Sequence, residues 1–304
     1  MNKGADLRLP ALRRFAIAIS ALTLLGHLFL GFEQSWAHVV VALVSGYTLE
    51  ILLEWVDAKV HSRVPRFLGG LKNLVDFLLP VHIGSLAVAM LIYPNSQLLP
   101  VAFAVSVLVG SKYLFRIHTT RGSRHFLNPS NTGIATTLIL FPWVGISPPY
   151  QFTENLYGGW DWLLPAVIII SGSFLNTKFT RRMPLIITWL AAFSTLALIR
   201  SFLFDISAVS ALIPMTGTAF LLFTFYMVSD PGTTPFTTRG QIMFGFGVAF
   251  VYQMLIVLHV VFGLFFALVI VCAIRGAYLQ WVAVQERRTD LVKSTSTIGQ
   301  EARP

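Results

Sequence analysis

The chain has 304 residues, 55% of them hydrophobic and 12% charged, with mean hydropathy +0.72 and a formal net charge of +9. That balance excludes an ordinary soluble domain, because apolar runs of about twenty residues recur and each is long enough to cross a bilayer. The basic residues sit in loops between those runs, so membrane topology accounts for them better than nucleic acid does.

The runs do not alternate in polarity as barrel strands would, so the expected fold class is an all-α integral membrane protein. The single cysteine, Cys272, lies inside an apolar run. It excludes an intrachain disulfide and any cysteine-held zinc or iron–sulfur site, and no metal is expected. The first apolar run lacks a small-residue cleavage site and reads as a span rather than a signal peptide.

Lys3, Arg8, Arg13 and Arg14 precede the first predicted span, residues 15–32. The second, 37–56, ends in Glu50, Glu54 and Asp57, whose spacing puts three acids on one helical face. Lys59, His61, Arg63, Arg66 and Lys72 follow, and a solvated helix end paired with those cations is the favoured reading. The third span starts near Val75 and contains Pro80, His82 and Gly84; proline there predicts a kink or break. An intramembrane histidine marks either a pathway or a neutral side chain bonded to a neighbouring helix.

A fourth span, 98–115, leads into the most basic loop, with Lys112, Arg116, His118, Arg121, Arg124 and His125. Asn128, Ser130 and Asn131 are good N-caps and Pro129 suits a first turn, so a fifth helix starts there and reaches about residue 146. The loop 147–162 has no Lys or Arg, and Tyr150, Tyr157, Trp160 and Trp162 suit an interfacial belt. Spans six (163–176), seven (184–204) and eight (from 206) follow, the last carrying Pro214, Thr216, Gly217 and Thr218. Residues 241–284 split near His259 into two spans, and the polar tail 285–304 is expected to be disordered.

The alternation of basic and non-basic loops fits about ten spans in one polytopic domain, residues 1–284, with both termini cytoplasmic. Leu79-Pro-Val-His-Ile-Gly84 echoes Ile213-Pro-Met-Thr-Gly-Thr218 five spans later. That is the pattern of two inverted five-helix repeats with broken helices, and His82, Thr216 and Thr218 would line a central site.

The richest polar stretch is Tyr226–Gln241. Asp230-Pro231-Gly232 forces a turn, and Thr233, Thr234, Thr237 and Thr238 crowd hydroxyls beside the next helix start. Two readings stay open. It is a capped turn, or Asp230, Thr233, Thr234 and Thr237 frame a pocket with Asn128, Ser130 and Asn131 that receives an anion at paired helix N-termini. Lys112, Arg116, Arg121 and Arg124 would add positive charge there.

Two motifs carry a family resemblance. Asn128-Pro-Ser-Asn-Thr-Gly133 with Phe141-Pro142 resembles the Asn-Pro-Ala…Gly…Phe-Pro pattern of the Rnf complex D subunit and the Nqr complex B subunit. Phe225-Tyr-Met-Val-Ser-Asp-Pro231, with Arg239-Gly-Gln and Phe244-Gly245, is similar to that family's second segment. The chain is more similar still to the Rnf-D-like membrane proteins associated with enediyne biosynthesis, through Pro148-Pro-Tyr150, Phe152-Thr-Glu-Asn155, Asp230-Pro-Gly-Thr-Thr-Pro235 and His259-Val-Val-Phe-Gly263. The resemblance implies ten helices, an internal repeat and flavin-linked electron transfer across the bacterial inner (plasma) membrane, with redox subunits as partners beside the lipid bilayer.

The electron-transfer subunits carry a Ser-Gly-Ala-Thr signature whose Thr is flavinylated, and neither Ser171-Gly-Ser173 nor Thr216-Gly-Thr-Ala219 reproduces it. A flavin, FMN or riboflavin, is therefore expected without a covalent link if one is bound. A cofactor-free carrier of a small molecule or ion, for export or self-resistance, is the alternative, and a non-catalytic scaffold the second; whether the chain is an enzyme stays open.

Overall fold

The computed structural model describes residues 8–119, 122–148 and 154–301. Lys3, Arg121, Pro149, Tyr150 and Phe152 lie outside the described residues, as do the side chains of Arg8, His118, Arg287, Arg288 and Lys293.

Eleven α-helices carry the described chain: α1 (Arg8–Leu25), α2 (Trp36–Val60), α3 (Leu71–Leu91), α4 (Leu99–Leu114), α5 (Pro129–Leu140), α6 (Leu163–Leu175), α7 (Met183–Leu203), α8 (Ala208–Leu212), α9 (Thr218–Leu222), α10 (Thr238–Val257) and α11 (Gly263–Glu301). Among the described residues seven helical segments are long and apolar enough to cross a membrane, or eight with the bent pair Ala208–Thr216 and Thr218–Met227. The fourth and fifth expected spans are the shorter α4 and α5, with 16 and 12 residues. These reach about 24 and 18 Å, short of a hydrocarbon layer roughly 30 Å thick. Large apolar side chains point outward, such as Phe202 at 88% exposure, and would meet acyl chains.

Non-helical backbone near the short helices is paired rather than open. The strands β1 (Ile92–Tyr93) and β4 (Gly145–Ile146) join the ends of α3 and α5, and β2 (Arg116–Thr119) and β3 (Gly122–His125) form a ribbon before α5. The buried Gln34 amide donates to the carbonyls of Met90 and Ile92 and contacts Ser147 Oγ, which donates to the Met90 carbonyl. Backbone buried in an apolar layer needs such partners.

The two halves share a packing order. In the first, α1 packs on α3, α3 on α2, α2 on α4, and α4 on α5. In the second, α6 packs on α9, α7 on α8, α7 on α10, and α10 on α11. Both first helices end in a π-turn, Gly26–Leu30 and Asn176–Thr180, closed by a left-handed residue, Gly31 (φ 87°) or Arg181 (φ 54°). The next N–H then returns to the start of the turn: Phe32 to the Gly26 carbonyl at 3.0 Å, Arg182 to that of Asn176 at 2.9 Å.

The third members differ. The bent pair turns by 64° at Gly217, just after Pro214, as the sequence predicts. The predicted break at Pro80 is not found, because α3 runs unbroken through it. Proline leaves the carbonyl of Asp76, four residues back, without its helical donor. The helix continues past it, beside a surface groove of about 500 Å³ lined by Pro80, Asp76, Asn73, Arg66 and Phe77. Helix α11 continues to Glu301, through a stretch with no proline and with Glu286, Arg287, Arg288 and Lys293 as good helix formers.

The acids of α2 are paired, though not all as expected. Glu54 binds Arg63 at 2.5 Å and Arg66 at 2.6 Å, while Asp57 binds Arg63 and lies 3.5 Å from Arg116. These carboxylates raise the pKa of both Arg63 and Arg66, with the Glu54 hydrogen bond the largest cause. Glu50 instead meets Lys112 of α4 at 2.5 Å, with both side chains nearly buried. At α5, Gly133 faces the α4 backbone, where an added Cβ would collide with the Ala104 carbonyl oxygen.

Candidate functional site at the Asp230 turn

Asp230 holds its own turn. Its carboxylate accepts from Gly232 N and Thr233 Oγ1, both at 3.0 Å, and its carbonyl accepts from Thr234 Oγ1 at 2.6 Å. This is Asx-turn chemistry, with the carboxylate turned onto the backbone it initiates. Thr237 caps α10 by accepting from Gly240 N at 3.2 Å, and Asn128 caps α5 by accepting from Asn131 N at 3.0 Å. Both caps were legible in the sequence.

The two segments that the sequence reading joined do meet. Asn128 Nδ2 donates to the Met227 carbonyl at 3.1 Å, just ahead of the Asp230 turn. Asn131 Nδ2 donates to the Phe265 carbonyl of α11 at 2.9 Å, and Ser130 Oγ donates to Asn128 Oδ1 at 3.0 Å. These groups act as fasteners. Thr233 and Thr234 are buried at 1% and 0% exposure with their hydroxyls engaged within the turn, so neither is open to a ligand.

The charge arrangement differs from expectation. Lys112 is committed to Glu50, and Arg116 lies beside Asp57 and stacks on Tyr113. Arg124 does reach the turn, donating to the Gly232 carbonyl at 3.0 Å. Two cations absent from the candidate set join it. Arg275 of α11 donates to the Thr233 carbonyl at 2.8 Å, and Arg182 donates through Nε to Thr234 Oγ1 at 2.8 Å. Arg275 had a signal in the sequence, since an arginine inside a long apolar run is costly and tends to mark a function. Arg182 had none beyond its place in a basic loop.

Arg182 is 2% exposed, forms no ion pair among the described residues, and its Nη2 has no hydrogen-bond partner there. Burial pushes its guanidinium down to about 10; Asp230 pulls the other way, and Arg124 and Arg275 add to the depression. Phe236, 66% exposed, lies over both Arg124 and Arg182, with ring centroid to guanidinium carbon distances of 4.6 and 5.0 Å.

The second candidate set has separate hydrogen-bond partners. His82 is bonded to Ser20 Oγ at 2.8 Å and Tyr47 OH at 2.6 Å, linking α3 to α1 and α2. Thr216 is exposed and donates to the Ile213 carbonyl of its own turn, while Thr218 is buried at the start of α9. No hydrogen-bond partner is shared between His82 and these threonines among the described residues.

Residues 151–280 match the NQR2, RnfD, RnfE family. That family supplies membrane subunits of electron-transport complexes. The matched stretch takes in α6 to α10, the Asp230 turn, Arg182 and Arg275, and supports the resemblance drawn from the Phe225–Pro231 segment, while Asn128–Gly133 and Phe141-Pro142 lie outside it. No curated protein matches the chain.

The two segments nearest the family's flavin signature are packed within the fold. Ser171 is bonded to Tyr226 OH at 2.8 Å, Gly172 packs against Phe225, and Thr218 is buried. The chemistry left unspent at the turn is one buried guanidinium edge. It suits an anionic group such as the phosphate of FMN, while riboflavin offers none.

Proposed function

We propose that the chain is the membrane subunit of an Rnf- or Nqr-like redox assembly, passing electrons across the bacterial inner membrane with noncovalent FMN or riboflavin, both termini cytoplasmic. The family match over residues 151–280 carries this reading. The enediyne-type motifs support a biosynthetic redox pathway as its setting, with other subunits as electron donors or acceptors. A cofactor-free carrier is the second reading. It is favoured by the 64° bend at Gly217, since helices broken inside the bilayer often hold transported cargo.

A visible absorption spectrum of protein purified in mild detergent separates the two. An oxidised-flavin band that bleaches with dithionite is expected at near one flavin per chain. A colourless preparation from flavin-replete cells would refute the redox reading in favour of the carrier. Orientation has its own check: a cysteine replacing Gly158 should react with an impermeant maleimide from outside, and one replacing Gly122 should not. The reverse pattern would overturn the topology.

A further inference from the structure

We infer that the Asp230 turn holds a binding site for one oxyanion, a phosphate group, built on Arg182 and Arg124 and covered by Phe236. Three arginines from three separate segments, β3, the link after α6, and α11, donate to this turn. Asp230 is the acid within it, and its carboxylate oxygens are taken by Gly232 N and Thr233 Oγ1. A buried cation without a direct ion-pair partner is costly, the Asp230 charge offsets only part of that at a distance, and buried polar groups are rarely left without a partner. Arg182 is buried to 2% exposure, and its Nη2 has no partner among the described residues.

Phe236 makes this a covered site. Its ring lies 4.6 Å from the Arg124 guanidinium carbon and 5.0 Å from that of Arg182, so the ring's place is bordered by both cations. A ring face is a weak substitute for a counter-ion. An oxyanion occupying that place would meet both guanidinium groups with charge-assisted hydrogen bonds, the stronger interaction. Phe236 is 66% exposed, so swinging it outward breaks little packing. Arg181, held left-handed at φ 54°, ends the π-turn and fixes where Arg182 starts.

The inference rests on the turn's geometry and not on the redox reading, so a flavin-free preparation would leave it standing. The phosphate could be a soluble ion or nucleotide, or a lipid headgroup. The test is the thermal unfolding of the purified chain with inorganic phosphate titrated against chloride at constant ionic strength. It is repeated in phosphatidylcholine nanodiscs with and without phosphatidylglycerol. Phosphate is expected to raise the wild-type melting temperature by several degrees. Arg182→Gln should abolish the shift, and Phe236→Ala should tighten the apparent affinity several-fold. A shift from inorganic phosphate in phosphatidylcholine alone assigns the site to a soluble ligand. One that appears only with phosphatidylglycerol, and is lost in Arg182→Gln, assigns it to lipid. Equal shifts in wild type and Arg182→Gln would overturn the inference. So would the absence of any shift in both wild type and Phe236→Ala, a result still obtainable if Arg182→Gln fails to fold.

Discussion

Replacing Lys112 with Met is expected to cost about 3–5 kcal/mol of stability, the range for breaking one side of a buried ion pair. Lys112 Nζ lies 2.5 Å from Glu50 Oε2, with side-chain exposures of 12% and 7%. The methionine fills the aliphatic volume of lysine, so the loss reports the charge rather than a cavity. Glu50→Leu should cost a similar amount by stranding the ammonium. The double variant Glu50→Leu/Lys112→Met should recover most of the loss, because an apolar pair of like volume often equals a buried ion pair. Chemical unfolding in detergent, with the single and double variants compared as a cycle, gives the coupling directly. If the double variant is as weak as either single, the pair is not the unit holding α2 to α4.

The second large effect is expected at Gly133. An added Cβ would collide with the Ala104 carbonyl oxygen, and the Leu108 Cβ would lie 3.4 Å away. A side chain in the way could rotate, but a carbonyl moves only with its helix. Gly133→Val should therefore exceed the roughly 1–3 kcal/mol typical of overpacking and leave little folded protein in the membrane. Gly245→Ala repeats the test between α10 and α7, where a Cβ would stand 2.7 Å from the Leu185 carbonyl oxygen. Gly110→Ala is the control, since nothing lies within 4 Å of its Cβ. Membrane yield and monodispersity after detergent extraction give the readout. Normal behaviour of Gly133→Val would mean that α4 and α5 do not approach this closely.

These contacts show what the sequence could carry. Apolar run length marks a helix because the bilayer imposes one scale on every span, so the helical class and the turns between runs were legible. The caps Asn128 and Thr237 were legible because a cap is a local bond, between residues three apart. Pro80 misled because a proline removes one helical hydrogen bond without always ending the helix, and α3 runs on through it. The pairing of Glu50 with Lys112 of α4, far along the chain, follows from helix packing, so no spacing rule announces it. The threonines looked like ligands by composition, yet the fold turns them inward onto Asp230 and leaves the spare donor on Arg182. The π-turns left no trace, since Gly26-His-Leu-Phe-Leu and Asn176-Thr-Lys-Phe-Thr share only a phenylalanine.

Those two turns set a polarity. Each closes through a left-handed residue and delivers the next side chain to the same place in its own half: Phe32 in the first, Arg182 in the second. Phe32 is 8% exposed and packs beside His27 as an apolar plug, whereas Arg182 is a cation. The same corner is thus apolar in one half and cationic in the other, so a backbone feature that the halves share carries different electrostatic character in each. Exchanging the two residues would test whether each corner keeps its shape when the charge moves to the other half.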